Sequence, residues 1–226
     1  MELILSPRLE AVAELVRHGA VLSDVGTDHA LLPAHLLLCG KIKSAVASDI
    51  VAGPLHRAEE TVRRYGLTGK ITTVLTPGLA GIEKYAPTDV VIAGMGGQTI
   101  AEILKEAPFV KNPDLRLILQ PMTKGELLRD FLAAEGFEIT KELRVREQER
   151  IYVVLCCHYT GVPYTLAPLE RLFGRVPQGQ TDPLYTALLA KKEDQLQAVM
   201  AAKKENGLCV SEEEALLCAI KDALAL

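Results

Sequence analysis

Short apolar segments alternate with longer segments suited to helices between residue 1 and about residue 158. Five apolar segments predict buried strands, and they span residues 20–25, 45–48, 71–75, 89–93 and 115–119. The helical segments span residues 8–17, 31–38, 55–65, 99–105 and 124–134. Strands that are apolar along their whole length are typical of a parallel sheet with helices on both faces. The pattern therefore predicts an α/β fold.

Signals at the ends of these segments support the same interpretation. Ser6 followed by Pro7 predicts the cap and first turn of the first helix, and Gly66 predicts the end of the third. Two further segments, 137–145 and 151–157, flank a charged turn and predict an antiparallel pair of strands.

The pattern changes after about residue 160, where stretches rich in Pro, Gly and Gln at 161–163 and 175–183 interrupt the chain. Helices are predicted at 167–173, 184–205 and 212–224. The long helix carries an apolar stripe of Tyr185, Leu188, Leu189, Leu196, Val199 and Met200. Asn206 and Gly207 predict its end, and Ser211 with Glu214 predicts a capping box for the last helix. We expect two domains, residues 1–160 and a helical domain at 161–226.

Charge and composition limit the partners. The formal net charge of -4 gives no global basic field, so a nucleic-acid partner would need a local basic patch. Candidates in the second domain are Arg171, Arg175, Lys191, Lys192, Lys203 and Lys204. Those in the first are Arg57, Arg63, Arg64, Lys141, Arg144, Arg146 and Arg150. An ordinary solvated face is the alternative for the lysines, because acidic residues lie among them.

The cysteine pattern and the amino-terminal residues bear on the compartment. The 5 cysteines are an odd number without C-x-x-C spacing, which argues against a disulfide framework and a zinc site. Met1 to Ile4 lack the basic start of a signal peptide, and no stretch approaches the ~20 apolar residues that span a bilayer. We expect a cytoplasmic protein that binds neither metal nor membrane, as a monomer or weak homodimer.

Unusual polar residues follow the first predicted strand. Asp24, Gly26, Thr27, Asp28 and His29 form a turn with one glycine, where a dinucleotide-binding turn has three. Two carboxylates would repel a phosphate and attract a cation, so the turn suits S-adenosylmethionine, with its sulfonium and ammonium, better than NAD. The alternative is a tight turn whose carboxylates only cap the next helix.

Further candidates follow the second, fourth and fifth strands. Asp49 ends the second strand, where an acidic side chain can accept both hydroxyls of a ribose; an exposed strand end is the alternative. Gly94, Met95, Gly96 and Gly97 follow the fourth strand and permit close backbone approach to a ligand, or merely a packing turn. Gln120 follows the fifth and offers an amide for a base edge.

Together these residues resemble the bacterial tRNA (adenine-N1)-methyltransferase family that modifies adenine 22. The matching motifs are Asp24-Val25-Gly26-Thr27-Asp28-His29-Ala30, Leu32-Pro33, Ala47-Ser48-Asp49-Ile50, Gly53-Pro54, Ala93-Gly94-Met95-Gly96-Gly97, Leu117-Ile118-Leu119-Gln120-Pro121, and Glu147 with Tyr152. The resemblance implies a seven-stranded, doubly wound class I methyltransferase domain. It also implies a small C-terminal helical, coiled-coil-like domain, which we expect to contact tRNA.

The resemblance also implies the site residues. S-adenosyl-L-methionine is assigned to Asp24, Gly26, Thr27, Asp28, His29, Asp49, Ile50, Gly78, Gly94, Met95, Gly96 and Gly97. The residues expected around the transfer itself are Asp28, Gly94, Met95 and Gln120, with Asp28 stabilising the positive charge that develops on the adenine.

The chain departs from the family pattern at two places. Thr76-Pro77-Gly78-Leu79 stands where the family has G-D-G-L, and Gln120-Pro121-Met122 stands where it has Q-P-N. Two other functions therefore stay open: a small-molecule methyltransferase, which the acidic charge favours, and a catalytically weak relative that binds RNA or a partner.

Overall fold

The structure is a computed structural model that describes residues 3–176 and 181–225. The chain divides into two compact units, Met1–Tyr164 and Thr165–Leu226. The first unit contains the sheet and the second is helical.

One sheet of seven strands organises the described part of the first unit. Its strands are β1 (Ala20–Val25), β2 (Ile42–Asp49), β3 (Ile71–Leu75), β4 (Asp89–Gly96), β5 (Arg116–Thr123), β6 (Phe137–Glu147) and β7 (Arg150–Tyr159). The order is β3-β2-β1-β4-β5-β7-β6, with the first five parallel and β7 antiparallel to both of its neighbours. The predicted α/β fold, parallel sheet and terminal antiparallel pair are confirmed.

Helices cover both faces of this sheet. They are α1 (Pro7–Leu15), α2 (Leu31–Leu38), α3 (Ala52–Arg64), α4 (Gly97–Lys105) and α5 (Gly125–Ala134), with short 3-10 turns at Glu83–Tyr85 and Pro108–Lys111. One core holds Val12, Leu32 and Ala58 from α1, α2 and α3. The other holds Ile100 and Leu128 from α4 and α5. A sheet buried on both faces explains why its central strands are mostly apolar.

Local signals fix several helix ends as predicted. The Ser6 hydroxyl accepts a hydrogen bond from the Leu9 N–H at 3.5 Å, and Pro7 begins α1. Gly66 follows α3 in the left-handed region, with φ +66°.

Residues 160–164 extend the first unit beyond the predicted boundary at 160. The Gly136 carbonyl accepts from the N–H groups of Thr160 and Gly161, at 2.9 and 3.1 Å. The Tyr164 hydroxyl donates to the Phe137 carbonyl at 3.1 Å. The Gly- and Pro-containing segment that resembles a linker in the sequence is therefore anchored where α5 turns into β6.

The second unit contains α6 (Pro168–Phe173), α7 (Pro183–Glu205) and α8 (Ser211–Leu224). Phe173, Leu189, Leu196 and Ile220 form its core. Lys203, at the end of α7, forms an ion pair with Glu213, at the start of α8, at 2.5 Å. Glu193, in the middle of α7, forms another with Lys221, near the end of α8, at 4.0 Å. These contacts confirm the predicted antiparallel helical pair.

Two details of the helical prediction are wrong. The capping box of Ser211 with Glu214 does not form, because α8 begins at Ser211 itself and Val210 is its N-cap residue. The Ser211 hydroxyl instead lies 3.2 Å from the Cys209 sulfur. Val199 is 46% exposed and lies outside the buried stripe, since the helical turn carries it away from Leu196 and Met200. Part of the predicted break at 175–183 lies outside the described residues.

Candidate functional site

The candidate site lies at the carboxyl edge of the sheet, where the chain changes its direction of winding. β1 pairs with β2 on one side and with β4 on the other, with Val25 opposite both Ser48 and Ile92. The connections from β1 and β4 lead away on opposite sides, and a crevice opens at such a switch point in doubly wound sheets. The parallel pairing thus places the ends of β1, β2, β4 and β5 along one edge.

Asp24 is a buried carboxylate at the end of β1, only 8% exposed. The Thr27 hydroxyl donates to its Oδ2 at 2.5 Å. Burial raises the pKa of Asp24 to about 6; the Thr27 hydrogen bond opposes this rise and the nearby Asp49 charge adds to it. Among the described residues no basic side chain forms an ion pair with Asp24. A buried acid of this kind is suited to a cationic ligand.

Gly26 allows a neighbouring side chain to approach the turn closely, but its own N–H is already used within the protein. Its N–H and that of Thr27 both donate to the Ser48 carbonyl, at 2.8 and 3.0 Å, and so extend the pairing of β1 with β2. Gly26 has φ +73°, and a Cβ there would overlap the methyl group of Met95. Any side chain at this position would therefore fill the space between the ends of β1 and β4.

Asp28 differs from Asp24 although both belong to one turn. Its side chain is 67% exposed, and Arg57 of α3 donates to its Oδ1 at 2.6 Å. The His29 Nε2 lies 3.4 Å from the other carboxylate oxygen. Arg57 therefore balances the charge of Asp28, whereas the described residues provide no such partner for Asp24.

The ends of β2 and β3 combine a carboxylate with exposed apolar side chains. Asp49 accepts from the Val51 N–H at 2.8 Å through Oδ1. Ile50 is 68% exposed, and Leu75, which lies opposite Asp49 in the sheet, is 58% exposed. Leu75 was not among the predicted site residues, because an apolar residue at a strand end has no distinctive signal in a sequence.

Hydrogen bonds of Thr76 stabilise the turn after β3, in which Pro77 replaces the aspartate of the family's G-D-G-L motif. The Thr76 N–H donates to the Asp49 carbonyl at 3.0 Å, and the Thr76 hydroxyl donates to the Ala80 carbonyl at 2.9 Å. Pro77 is exposed, and a Cβ at Gly78 would lie 3.2 Å from Ile103 of α4. Gly78 is thus also explained by packing against α4.

The glycines after β4 have different local roles. Gly94 is exposed, has φ +83° and donates its N–H to the Gln120 Oε1 at 3.0 Å. Gly96 precedes α4 as its N-cap residue, without a side-chain cap. Gly97 is buried, and a Cβ there would overlap the Lys124 carbonyl. Packing alone explains Gly97, whereas Gly94 presents bare backbone at the edge of the sheet.

Gln120 is fully buried, and its amide is engaged within the protein. Its Oε1 accepts from Gly94 N–H and from Arg8 Nη1, the latter at 2.8 Å. Its Nε2 donates to the Pro121 carbonyl at 2.9 Å. In this arrangement Gln120 holds the loop after β4, and contact with a base edge stays a prediction.

Arg8 is the site-edge residue that the sequence interpretation missed. Its backbone N–H donates to the Glu147 carboxylate at 3.0 Å, and its guanidinium lies 5.9 Å from the centre of the Tyr152 ring. Glu147 and Tyr152 were known only as parts of the family resemblance. Arg8 is 112 residues from Gln120 and 139 from Glu147, so no local pattern could have joined them.

Two negative findings concern the described residues alone. Their His, Cys, Asp and Glu side chains form no group of three suited to a metal ion. None of their helices combines the length and apolar character needed to cross a bilayer.

Comparison with known proteins gives matches over the first unit and over the whole chain. Residues 5–155 match the methyltransferase domain family. The tRNA (adenine(22)-N(1))-methyltransferase of Bacillus subtilis is 38% identical over 154 residues, which are 68% of this chain and 65% of that protein. The match thus spans a little under two thirds of that relative's length.

Two solved structures match nearly the whole chain. The Streptococcus pneumoniae Sp1610 protein in complex with S-adenosyl-L-methionine has 34% identity and a TM-score of 0.85, over 98% of this chain and 100% of that one. M. capricolum TrmK in complex with S-adenosyl-homocysteine has 29% identity and a TM-score of 0.84, over 98% of each chain.

Proposed function

Because this chain belongs to the methyltransferase domain family, and within it to the tRNA (adenine-N1)-methyltransferases, we propose that it transfers a methyl group from S-adenosyl-L-methionine to N1 of an adenine in tRNA. The target position is adenine 22, the position named for the Bacillus subtilis relative. The observation that carries the proposal is the buried Asp24, unpaired by any described basic residue, at the switch point beside Gly26.

The residues at the edge fit S-adenosyl-L-methionine. Asp24 offers a carboxylate to a positive charge, and Gly26 lets the flexible side chain of Met95 lie against the turn. Asp49 has a carboxylate oxygen to offer ribose hydroxyls, since only its Oδ1 caps the Val51 N–H. Ile50 and Leu75 provide exposed apolar surface next to Asp49 for the adenine ring. This apolar surface supports cofactor binding where the family's aspartate is replaced by Pro77.

The remaining predicted residues complete the proposed site. Thr27 orients the Asp24 carboxylate, and His29 lies beside Asp28 at the entrance. Gly94, Met95, Gly96 and Gly97 border the methyl-transfer position. The Gln120 Oε1 accepts a hydrogen bond from the Gly94 N–H and so holds the Gly94 backbone in place.

The proposed reaction requires the protein to position the two reactants, and it does not require a general base. S-adenosyl-L-methionine, when bound, supplies an electrophilic methyl group on a sulfonium. N1 of adenine has a free lone pair, so no proton has to be removed before attack, and the protein orients the base and excludes water. Asp28 stabilises the positive charge that develops on the adenine. Arg57 holds Oδ1 of this carboxylate in place and offsets part of its charge.

The acceptor base must be accessible. In a duplex N1 is paired, so the adenine has to be unpaired or flipped out before reaction. The helical unit supplies tRNA contacts, through Lys191 and Lys192 of α7 in particular. Among the described residues these two lysines have no acidic partner, whereas Lys203 and Lys204 pair with Glu213 and Glu214. We expect the protein to act in the cytoplasm, as a monomer or weak homodimer. Light scattering, which measures molar mass, tests the oligomeric state.

The test is to incubate the protein with methyl-labelled cofactor and unmodified tRNA, and to analyse the nucleosides. We expect labelled N1-methyladenosine. Label in small metabolites without label in RNA would support a small-molecule methyltransferase instead. Binding of tRNA without any transfer, together with no binding of millimolar cofactor by calorimetry, would identify a catalytically weak RNA-binding relative.

A further inference from the structure

Arg8 is a cation at an edge where the predicted cofactor residues supply three carboxylates. Arg57, which also reaches this edge, is paired with Asp28. Asp24, Asp28 and Asp49 lie at the ends of β1 and β2, whereas Arg8 lies in the first turn of α1, near the end of β4. Three neighbours hold it: Gln120 through its guanidinium, Glu147 through its backbone, and Tyr152 through the face of its ring. The guanidinium is therefore in a fixed position, although Arg8 is only half-buried.

The charge of Arg8 is not neutralised by a direct ion pair among the described residues. Glu147 accepts from the Arg8 backbone N–H, and this hydrogen bond is the main cause that lowers its pKa. The Arg8 charge also acts on that carboxylate, but without a direct ion pair. Gln120 and Tyr152 are neutral, and Nη1 is the only guanidinium nitrogen with a hydrogen-bond partner in the described part of the chain. A guanidinium has five donors, so most of its capacity stays available.

The Arg8 guanidinium borders bare backbone through Nη1, the nitrogen that also donates to Gln120. Gly94 is exposed, and the nearest atom to a Cβ built on it is the Arg8 Nη1, at 3.8 Å. A molecule lying against Gly94 would therefore meet the guanidinium directly. The sulfonium and ammonium of the cofactor would be repelled by this cation, and only the cofactor carboxylate could pair with it. The cofactor affinity of an Arg8 variant separates the two roles: a loss of that affinity would assign Arg8 to the cofactor carboxylate and overturn a phosphate role.

We propose that Arg8 binds a backbone phosphate at or next to the target nucleotide, with Gln120, Glu147 and Tyr152 as its positioning residues. The inference rests on the proposed function, because it is the tRNA acceptor that brings phosphates to this edge. Arginine suits the role, since its planar donors match two phosphate oxygens at once. The phosphate contact fixes the nucleotide backbone while the base reaches the position next to Gly94.

Salt dependence of tRNA recognition distinguishes this role from a structural one. Neutralising one phosphate contributes about 0.7–0.9 to the slope of log affinity against log salt. We compare Arg8→Met with Lys43→Met, which removes an equal charge at the amino end of β2, away from the site edge. KM for tRNA, kcat and cofactor affinity are measured at several salt concentrations.

For Arg8→Met we expect KM for tRNA to rise roughly tenfold or more, and the salt slope to fall by about one contact. Cofactor affinity should stay as in the wild type, which shows that the site is folded. Lys43→Met should keep the wild-type slope. Arg8→Lys should also keep the slope, because it retains the charge, while it loses the two-pronged contact and raises KM.

Equal slopes for Arg8→Met and Lys43→Met, with only kcat reduced, would overturn the proposal and leave Arg8 as a support for the Gly94 loop. The wild-type enzyme separates this failure from that of the proposed function. If it methylates tRNA and the slopes are equal, only the phosphate contact is wrong. If it transfers no methyl group to tRNA, both the contact and the function on which it rests are wrong.

Discussion

At the scale of single residues, Asp24 lowers the stability of the free protein and favours the binding of a cationic ligand. An ionised carboxylate in a buried site without a cationic partner destabilises the folded protein, and the raised pKa of about 6 expresses that cost. A positively charged ligand compensates for it. The residue that weakens the free protein is thus the one that favours the cofactor.

We expect Asp24→Asn to stabilise the free protein at pH 7 by on the order of 2–3 kcal/mol, because no charge is then buried. The amide oxygen can still accept from the Thr27 hydroxyl. Cofactor affinity should fall about tenfold or more. Urea denaturation and calorimetry measure the two effects; a variant that loses both stability and affinity would show that Asp24 only supports the fold.

The pH dependence of the free protein follows from the same pKa. Asp24 keeps its proton up to about pH 6 in the folded state and releases it near its ordinary value of 3.8 when unfolded. The folded state therefore holds more protons in this window, and the contribution of Asp24 to the free energy of unfolding declines as pH rises from about 4 to 6. The stability difference between wild type and Asp24→Asn should widen over this range, and a constant difference would contradict the assigned pKa.

Cofactor affinity should change with pH in the opposite direction. A cation prefers the ionised carboxylate, so affinity should rise as pH increases through about 6, with release of a proton on binding. Thr27→Val removes the hydrogen bond that lowers this pKa and should move the midpoint upward. Calorimetry in buffers of different ionisation enthalpy counts the released protons, and binding independent of pH between 5 and 7 would contradict the account.

At the scale of elements, the turn from α5 into β6 depends on Gly136. It has φ +78°, and a Cβ there would lie 2.8 Å from backbone atoms of Gly161 and Val162. Gly66 is a matched control, with φ +66° and nothing within 4 Å of a Cβ. We expect Gly136→Ala to lower the denaturation midpoint clearly more than Gly66→Ala, which carries only the cost of the left-handed backbone, about 1–2 kcal/mol. Similar losses would show that the segment at 160–164 moves aside easily.

The two lysine pairs of α7 should contribute unequally to tRNA binding. Lys203 and Lys204 are engaged by Glu213 and Glu214, whereas Lys191 and Lys192 have no acidic partner in the described chain. We expect alanine at both Lys191 and Lys192 to raise KM for tRNA more than alanine at both Lys203 and Lys204. Cofactor affinity is the control and should not change. The reverse order would place the contact at the other end of α7.

The elements could be predicted wherever their signals are local. The bounds of β1, α2 and β3 agree with the predicted segments 20–25, 31–38 and 71–75, because most of their residues are apolar and turn residues flank them. β2 begins earlier than predicted, at Ile42, since Lys43 and Ser44 interrupt the apolar pattern at its amino end.

The candidate site was predictable only in part, because some of its features have no local signal in the sequence. Polar residues and glycines at strand ends are visible in a sequence, and the sheet brings them to one edge. The roles of Arg8, Gln120 and Gly94 depend on contacts between distant parts of the chain. No spacing rule could indicate that Gln120 points inward, or that Asp24 is buried while Asp28 is paired.

At the scale of the whole molecule, the reaction makes opposite electrostatic demands. The donor is a cation and the acceptor is a polyanion, while the net charge of the chain is -4. We assign the first demand to the buried Asp24 at the end of β1. The second is assigned to local cations, Arg8 at the edge and the lysines of α7, so tRNA recognition should weaken strongly with salt.

The most direct test maps the modified position by primer extension on tRNA treated with the protein and S-adenosyl-L-methionine. A methyl group on N1 blocks the pairing edge of adenine and stops reverse transcription. We expect a cofactor-dependent stop beside adenine 22, which disappears in a transcript with guanine at that position. Full read-through of treated tRNA, or a stop that guanine at position 22 leaves unchanged, would contradict the account.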